Sequence, residues 1–287
     1  MGLDINAARF LLGEKARGVQ LGHTLTLGRQ GVYMRPEDYS GFLSRLGTTV
    51  KTHGHADDFF KALGAEPFMA MDASSYEGAD LIHDSNEPIG VEHHSSVDTL
   101  IDGGTLEHIF NFPVSISNCM QMVRPGGRLI MMTPWHNYSG HGLYQFSPEL
   151  LYGVLSSENG YEVERMLIVA EGSWYSIRKP EELNRRIEII TDDPILIYLT
   201  ARRIDECPIF TKWPQQSDYS AAWQRGSYSE SGAAPRLTTV QRLSAIFPPL
   251  ESLRNVLRDR RAKLAQSPVR NPGLIRICPS SEVPSTL

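Results

Sequence analysis

The chain has 287 residues, 41% hydrophobic and 21% charged, and a formal net charge of −5. This is the composition of a soluble globular protein, one large domain or a domain with an appendage. The acidic balance supplies no global field toward nucleic acid or acidic membranes, and no apolar run approaches the ~20 residues that span a bilayer.

The first residues, MGLDINAARFLLGEKARG, are too polar and acidic for a secretory signal, and Asn6 stands where a myristoylation motif needs Ser or Thr. Cys119, Cys207 and Cys278 are far apart and form no CxxC pair, which fits a reducing, cytoplasmic compartment and no zinc site. Residues 5–17 read as a helix with Ile5, Ala8, Phe10, Leu11 and Leu12 on its apolar side, ended near Gly18. Residues 24–27 predict a first strand, followed by Gly28-Arg29-Gln30-Gly31. Pro36 opens a helix over 37–46. Residues 66–71 predict a second strand ending at Asp72, and 79–83 a third ending at Asp84.

Residues 98–101 and 128–133 predict the fourth and fifth strands. Between them Leu106, Ile109, Phe110, Val114, Ile116, Met120 and Val123 recur at mostly helical spacing. Two strands joined through such a helix are most economically parallel neighbours with a right-handed crossover. Ser147 and Pro148 open a further helix over 148–156. Residues 162–170 and 194–202 predict the last two strands, antiparallel neighbours at one edge. The alternation of strand and helix argues an α/β, doubly wound sheet.

After Cys207 the composition changes. Residues 208–236 are rich in Pro, Gln, Ser and Gly, and Trp213, Tyr219, Trp223 and Tyr228 argue against a featureless linker. This segment is expected to pack across the core or a partner chain. Residues 249–266 predict a helix with Leu250, Leu253, Val256, Leu257 and Leu264 on one face; its arginines read as a solvated basic face rather than a nucleic-acid patch. The tail 279–287 is expected to fray.

The stretch DTLIDGGTLEHIFNFPVSISNCMQMVRPGGRLIMMTP, residues 98–134, carries a resemblance. Leu106-Glu107-His108 after the fourth strand, and Arg124-Pro125-Gly126-Gly127 before the fifth, resemble the corresponding turns of class I S-adenosylmethionine-dependent methyltransferases, closest to the groups acting on small molecules. The resemblance implies a Rossmann-like, mostly parallel seven-stranded sheet over residues 24–205. It leaves residues 1–23 as an N-terminal helical lid and 206–287 as a C-terminal extension. S-adenosylmethionine is the implied cofactor. Glycine is expected after the first strand for close backbone approach, a carboxylate at the end of the second for the ribose diol, and an acceptor for the adenine amino group. These fall on the loop Gly28, Arg29, Gln30 and Gly31, on Asp72, and on Asp84; Asp102 or Gly103 would face the sulfonium and amino-acid part. The family's Gly-x-Gly-x-Gly loop is altered here by Arg29 and Gln30. Either the loop takes another path, or Arg29 pairs with the cofactor's carboxylate, or the site is degenerate.

Methyl transfer to a hydroxyl is an in-line displacement that needs a base, and histidine is suited to it. His136 and His141, in the loop WHNYSGHGLYQF, are the first candidates and His108 the reserve. Glu107 would project in a different direction from His108 on a helix. A metal set could be assembled from Glu107, Asp102, His136 and Asn137, but the spacing matches no metal motif, and no metal is expected. The expectation is thus an O-methyltransferase of a sugar or secondary metabolite, with a small-molecule substrate, no nucleic acid, no membrane, and a homodimer through the C-terminal extension. The alternative is an inactive protein of the same fold serving as a binding or scaffolding subunit.

Overall fold

The computed structural model describes residues 2–49, 54–183, 187–216 and 248–285. Tyr219, Trp223 and Tyr228 lie outside the described residues. The first half of the chain runs β1 (Gly2–Leu3), α1 (Ile5–Ala16), β2 (Gly22–Leu27), β3 (Gly31–Val32), α2 (Pro36–Arg45), α3 (Asp57–Leu63), β4 (Ala65–Asp72), β5 (Leu81–Ile82) and β6 (Val97–Asp102). The second half runs α4 (Phe112–Met122), β7 (Val123–His136), α5 (Pro148–Val154), β8 (Tyr161–Ala170), β9 (Ser173–Ile177), α6 (Pro180–Leu183), β10 (Ile195–Arg203), α7 (Pro248–Gln266) and β11 (Leu274–Pro279).

One sheet takes the order β11-β9-β8-β10-β7-β6-β2-β4-β5. The block β5-β4-β2-β6-β7 is parallel throughout. β10 lies antiparallel between β7 and β8. The chain enters at β2, winds outward through β4 and β5, then crosses back to β6 and β7: a doubly wound sheet. The sheet has nine strands rather than seven. β8 and β10 are antiparallel neighbours as expected but do not form the edge, because β9 and β11 extend the sheet beyond them. β9 folds back on β8 through Glu171-Gly172, both with positive φ, the backbone of a two-residue hairpin.

Side chains alternate between the two sheet faces, as the strand period of two requires. Leu100, Leu129, Met131, Ile168 and Ile197 join one core, with Ile116, Cys119 and Met120 of α4 and Leu151 and Val154 of α5. Ile101, Ile130, Met132, Leu167 and Tyr198 join the other, with α1, α2 and α3. In α1, Ala7, Ala8, Phe10 and Leu11 are buried, and Phe10 packs against Tyr198 with ring centroids 5.7 Å apart. The helix starts on Asp4, whose carboxylate accepts from Ala7 N at 2.7 Å. The tail expected to fray is docked as far as it is described: Trp174 Nε1 donates to Glu282 O at 3.3 Å, and Gly13 of α1 has no room for a side chain against the Pro284 carbonyl. On α7, Val256, Leu257 and Leu264 are about half exposed. No helix among the described residues is long and apolar enough to cross a membrane.

Glu14 and Arg165 fasten α1 to β8 with an ion pair of 3.0 Å, and both side chains are almost wholly buried. Glu14 also pairs with Arg17. Removing one partner of a buried pair leaves the other charge uncompensated. Glu14→Ala is expected to lower the unfolding free energy by about 3–5 kcal/mol, read as a shift of the urea midpoint.

Candidate active site

In a doubly wound sheet a crevice opens where two neighbouring strands send their connections in opposite directions, and here those strands are β2 and β6. Leu27 is level with Met71 on one side and Asp102 on the other. Gly28, Asp72 and Gly103 therefore follow at a common level. Gly28 takes φ +64°, a conformation that favours glycine, and its amide donates to Met71 O at 2.7 Å. A side chain added there would meet Asp72 Oδ2 at 3.7 Å, which places the Asp72 carboxylate beside the glycine backbone. Thr105 Oγ1 donates to Leu27 O at 2.9 Å and ties the first strand to the turn after the fourth.

Gln30 is buried and folds back on its own loop. Its Nε2 donates to Leu27 O at 2.6 Å and Gly28 O at 3.2 Å. Its Oε1 abuts Gly103, where a Cβ would overlap it, and has no hydrogen-bond partner among the described residues. Arg29 points elsewhere: its guanidinium pairs with Asp57 at 2.6 Å and donates to Glu77 O at 3.2 Å. Gly31 leaves the loop as the start of β3, opposite Gly2. Asp84 is exposed and accepts from the Asn86 amide and carboxamide at 2.9 and 2.8 Å; these bonds hold its carboxyl below the usual range.

After β6 the chain does not enter the expected helix. Asp102 accepts from Thr105 N at 2.8 Å and Leu106 N at 3.3 Å, and residues 106–108 form one turn of 3₁₀ helix. The α-helix begins only at Phe112, with Pro113 in its first turn. Proline suits a first turn, where its missing N–H costs no helical hydrogen bond, and that fits a helix starting here rather than running through from residue 106. The consequence reverses the expectation for Glu107. Its side chain is 0% exposed, and its Oε1 lies 3.5 Å from His141 Nε2 and 3.9 Å from His108 Nε2.

His141 arrives on the loop 137–145. The amides of Leu143 and Tyr144 donate to Glu107 O at 2.7 and 3.1 Å. Gly142, at φ +74°, lies so close to Glu107 that a Cβ would not fit. Tyr144 Oη donates to Phe110 O at 2.6 Å, and Tyr144 stacks on Phe146. The rings of His108 and His141 stand edge to face, 5.1 Å apart. Neither carboxylate oxygen of Glu107, nor His141 Nε2, has a hydrogen-bond partner among the described residues. Burial, with Asp102 nearby, pushes the Glu107 carboxyl up to about 8. Burial raises Asp102 to about 6 against the opposing pull of its backbone donors. Burial and the neighbouring His141 lower His108.

His136 is not among the groups that converge on Glu107. It is the last residue of β7, opposite Ile195 of β10, whereas Met131 is the β7 residue level with Asp102. Glu107 is the site residue that sequence reasoning misplaced; the Pro113 that stops the helix was the available signal.

No protein-family model matches the chain, and no curated protein matches it in sequence. Among solved structures, it is similar to the Burkholderia thailandensis 1,6-didemethyltoxoflavin-N1-methyltransferase bound to S-adenosylhomocysteine, with 15% identity, TM-score 0.40, and 70% of this chain and 79% of that one covered. An S-adenosylmethionine-dependent methyltransferase from Mesorhizobium loti aligns at 13% identity and TM-score 0.39, over 70% of this chain and 100% of that one. The branched-chain polyamine synthase of Thermus thermophilus aligns at 12% identity and TM-score 0.39, over 74% and 59%. Chains this dissimilar do not transfer a chemistry to one another, so function has to be argued from the site.

Asp102 titrates higher in the fold than its ordinary 3.8. The folded state then binds more protons than the unfolded one, so this group's contribution to stability falls as pH rises. Urea midpoints should decline as pH rises from about 4 through about 7, and Asp102→Asn should flatten that decline.

Proposed function

We propose that this chain is an S-adenosylmethionine-dependent methyltransferase acting on a small polar acceptor, a hydroxyl of a sugar or of a secondary metabolite. The observation that carries the reading is the convergence of Glu107, His108 and His141 at the end of β6, next to the level of Gly28, Asp72 and Gly103. The residues present suit the cofactor. The Asp72 carboxylate beside the open backbone at Gly28 suits a ribose diol, and the orphaned Gln30 Oε1 against Gly103 suits an ammonium donor. The cofactor, when bound, supplies an electrophilic methyl group. The partly exposed imidazole of His141 is the group we assign to take the acceptor's proton; its Nε2 is turned inward, 3.5 Å from the buried Glu107 carboxyl. Tyr138 and Tyr144 in the same loop offer apolar walls with polar tips, as small-molecule pockets do.

One observation favours a second reading, a binding subunit of the same fold without transfer activity: the Gln30 side chain stands against Gly103, where the family has only backbone. Calorimetry with S-adenosylmethionine and S-adenosylhomocysteine separates the two, since the transferase binds both and the absence of heat at high micromolar ligand removes it. If they bind, Asp72→Ala should weaken affinity by ~2–4 kcal/mol, about thirtyfold or more. His141→Ala should lower turnover and His136→Ala should not. A homodimer through the C-terminal extension belongs to the same reading, supported by the half-exposed Val256, Leu257 and Leu264 of α7. Sedimentation equilibrium of the wild type and of Leu257→Glu tests it, with dissociation expected in the variant.

A further inference from the structure

We propose that Glu107, His108 and His141 form a binding site for a divalent transition-metal ion of the zinc or ferrous type. The two imidazole nitrogens and the carboxylate oxygen lie within 4.8 Å of one another. The separations of 3.5 and 3.9 Å from Glu107 Oε1 to the two Nε2 atoms are too long for hydrogen bonds. They are close to the spacing that ligands keep around a shared ion. Metal–ligand bonds of about 2.0–2.2 Å in tetrahedral geometry hold the ligand atoms about 3.3–3.6 Å apart.

The carboxylate makes the independent case. Glu107 is 0% exposed, and both its oxygens lack a hydrogen-bond partner among the described residues, although Oε1 faces two imidazole nitrogens. A buried carboxylate without donors is costly, and coordination is one of the few ways to satisfy it. The main chain of Glu107 is pinned by the Leu143 and Tyr144 amides, so the ligand is held in place from behind.

The donor set selects the ion. Mg²⁺ and Ca²⁺ take oxygen ligands, whereas two histidines and one carboxylate suit zinc or ferrous iron with positions left open. His108 forms the outer side of the cluster, its side chain 46% exposed, while His141 Nε2 and both Glu107 oxygens lie inside it. An ion there would offer an oxygen donor of the acceptor a place to bind and would lower that oxygen's pKa. In this use the imidazoles are ligands rather than the base, and the ion would acidify the acceptor, whose proton would be lost to water. That use rests on the methyl-transfer reading; ion binding does not.

The test is calorimetric titration of the full-length protein, stripped with EDTA and dialysed, with zinc sulfate and separately with magnesium chloride. One equivalent of Zn²⁺ should bind and Mg²⁺ should give no heat at the same concentrations. His108→Ala and His141→Ala, at partly exposed positions that tolerate truncation, should each weaken Zn²⁺ binding at least tenfold, as should Glu107→Gln, while His136→Ala binds as the wild type does. No uptake by the wild type, uptake unchanged in both histidine variants, or an equal loss in His136→Ala would overturn the proposal. Zinc binding without cofactor heat removes methyl transfer and leaves the metal site standing; cofactor heat without zinc binding does the reverse.

Discussion

Leu143 and Tyr144 both donate to the main-chain carbonyl of Glu107, and the meeting of Glu107 with His141 follows from that attachment. It brings the loop 137–145 back onto the turn after β6 and seats Gly142 where no side chain could go. The returning loop in turn covers the Glu107 carboxyl and sets His141 against it. Without the second amide or the glycine, the loop would have to stand off, and the carboxylate would be solvated rather than shared between two imidazoles. A main-chain attachment of this kind is indifferent to most side-chain identities in the loop, which leaves its aromatic residues free to shape a pocket.

The sheet register sets the other half of the site. Because β2, β4, β6 and β7 are parallel and in register near their carboxyl ends, Gly28, Asp72 and Gly103 reach one level with no insertion to offset them. Asp102 joins the halves. It sits in the sheet at the level of Leu27, and its carboxylate accepts the amides that wind the chain into the turn presenting Glu107 and His108. Burial raises both of these carboxyl groups, and Asp102 adds to the shift of Glu107.

The parallel core was legible because its strands are apolar runs bounded by turns, and its helices repeat at 3.6 residues. α1, α2 and α5 announce themselves by Asp4, Pro36 and Ser147 at their first turns. β9 and β11 were not legible: Glu171-Gly172 is a weaker hairpin signal than Asn-Gly, and β11 has no local partner to betray it. The helix expected across residues 106–123 failed at its start, where Pro113 outweighs the periodicity of Leu106, Ile109 and Phe110; Phe110 ends up 76% exposed. Arg29 and Gln30 were readable as a departure from glycine, yet where each side chain goes depends on Asp57 and Gly103, remote in sequence.

Composition, periodicity and turn residues by themselves determined the doubly wound class, the strand ends where a ligand belongs, and the residue types at those ends. These are local properties, fixed by the burial preference of each side chain and by the φ that Gly and Pro allow. Which of the three histidines meet was decided only by tertiary structure. His108 and His141 are joined through backbone hydrogen bonds between a loop and a turn, and His136 is not in the group they form with Glu107. Main-chain donors and acceptors are the same at every residue, so their pairing across the fold leaves no mark in the order of the side chains.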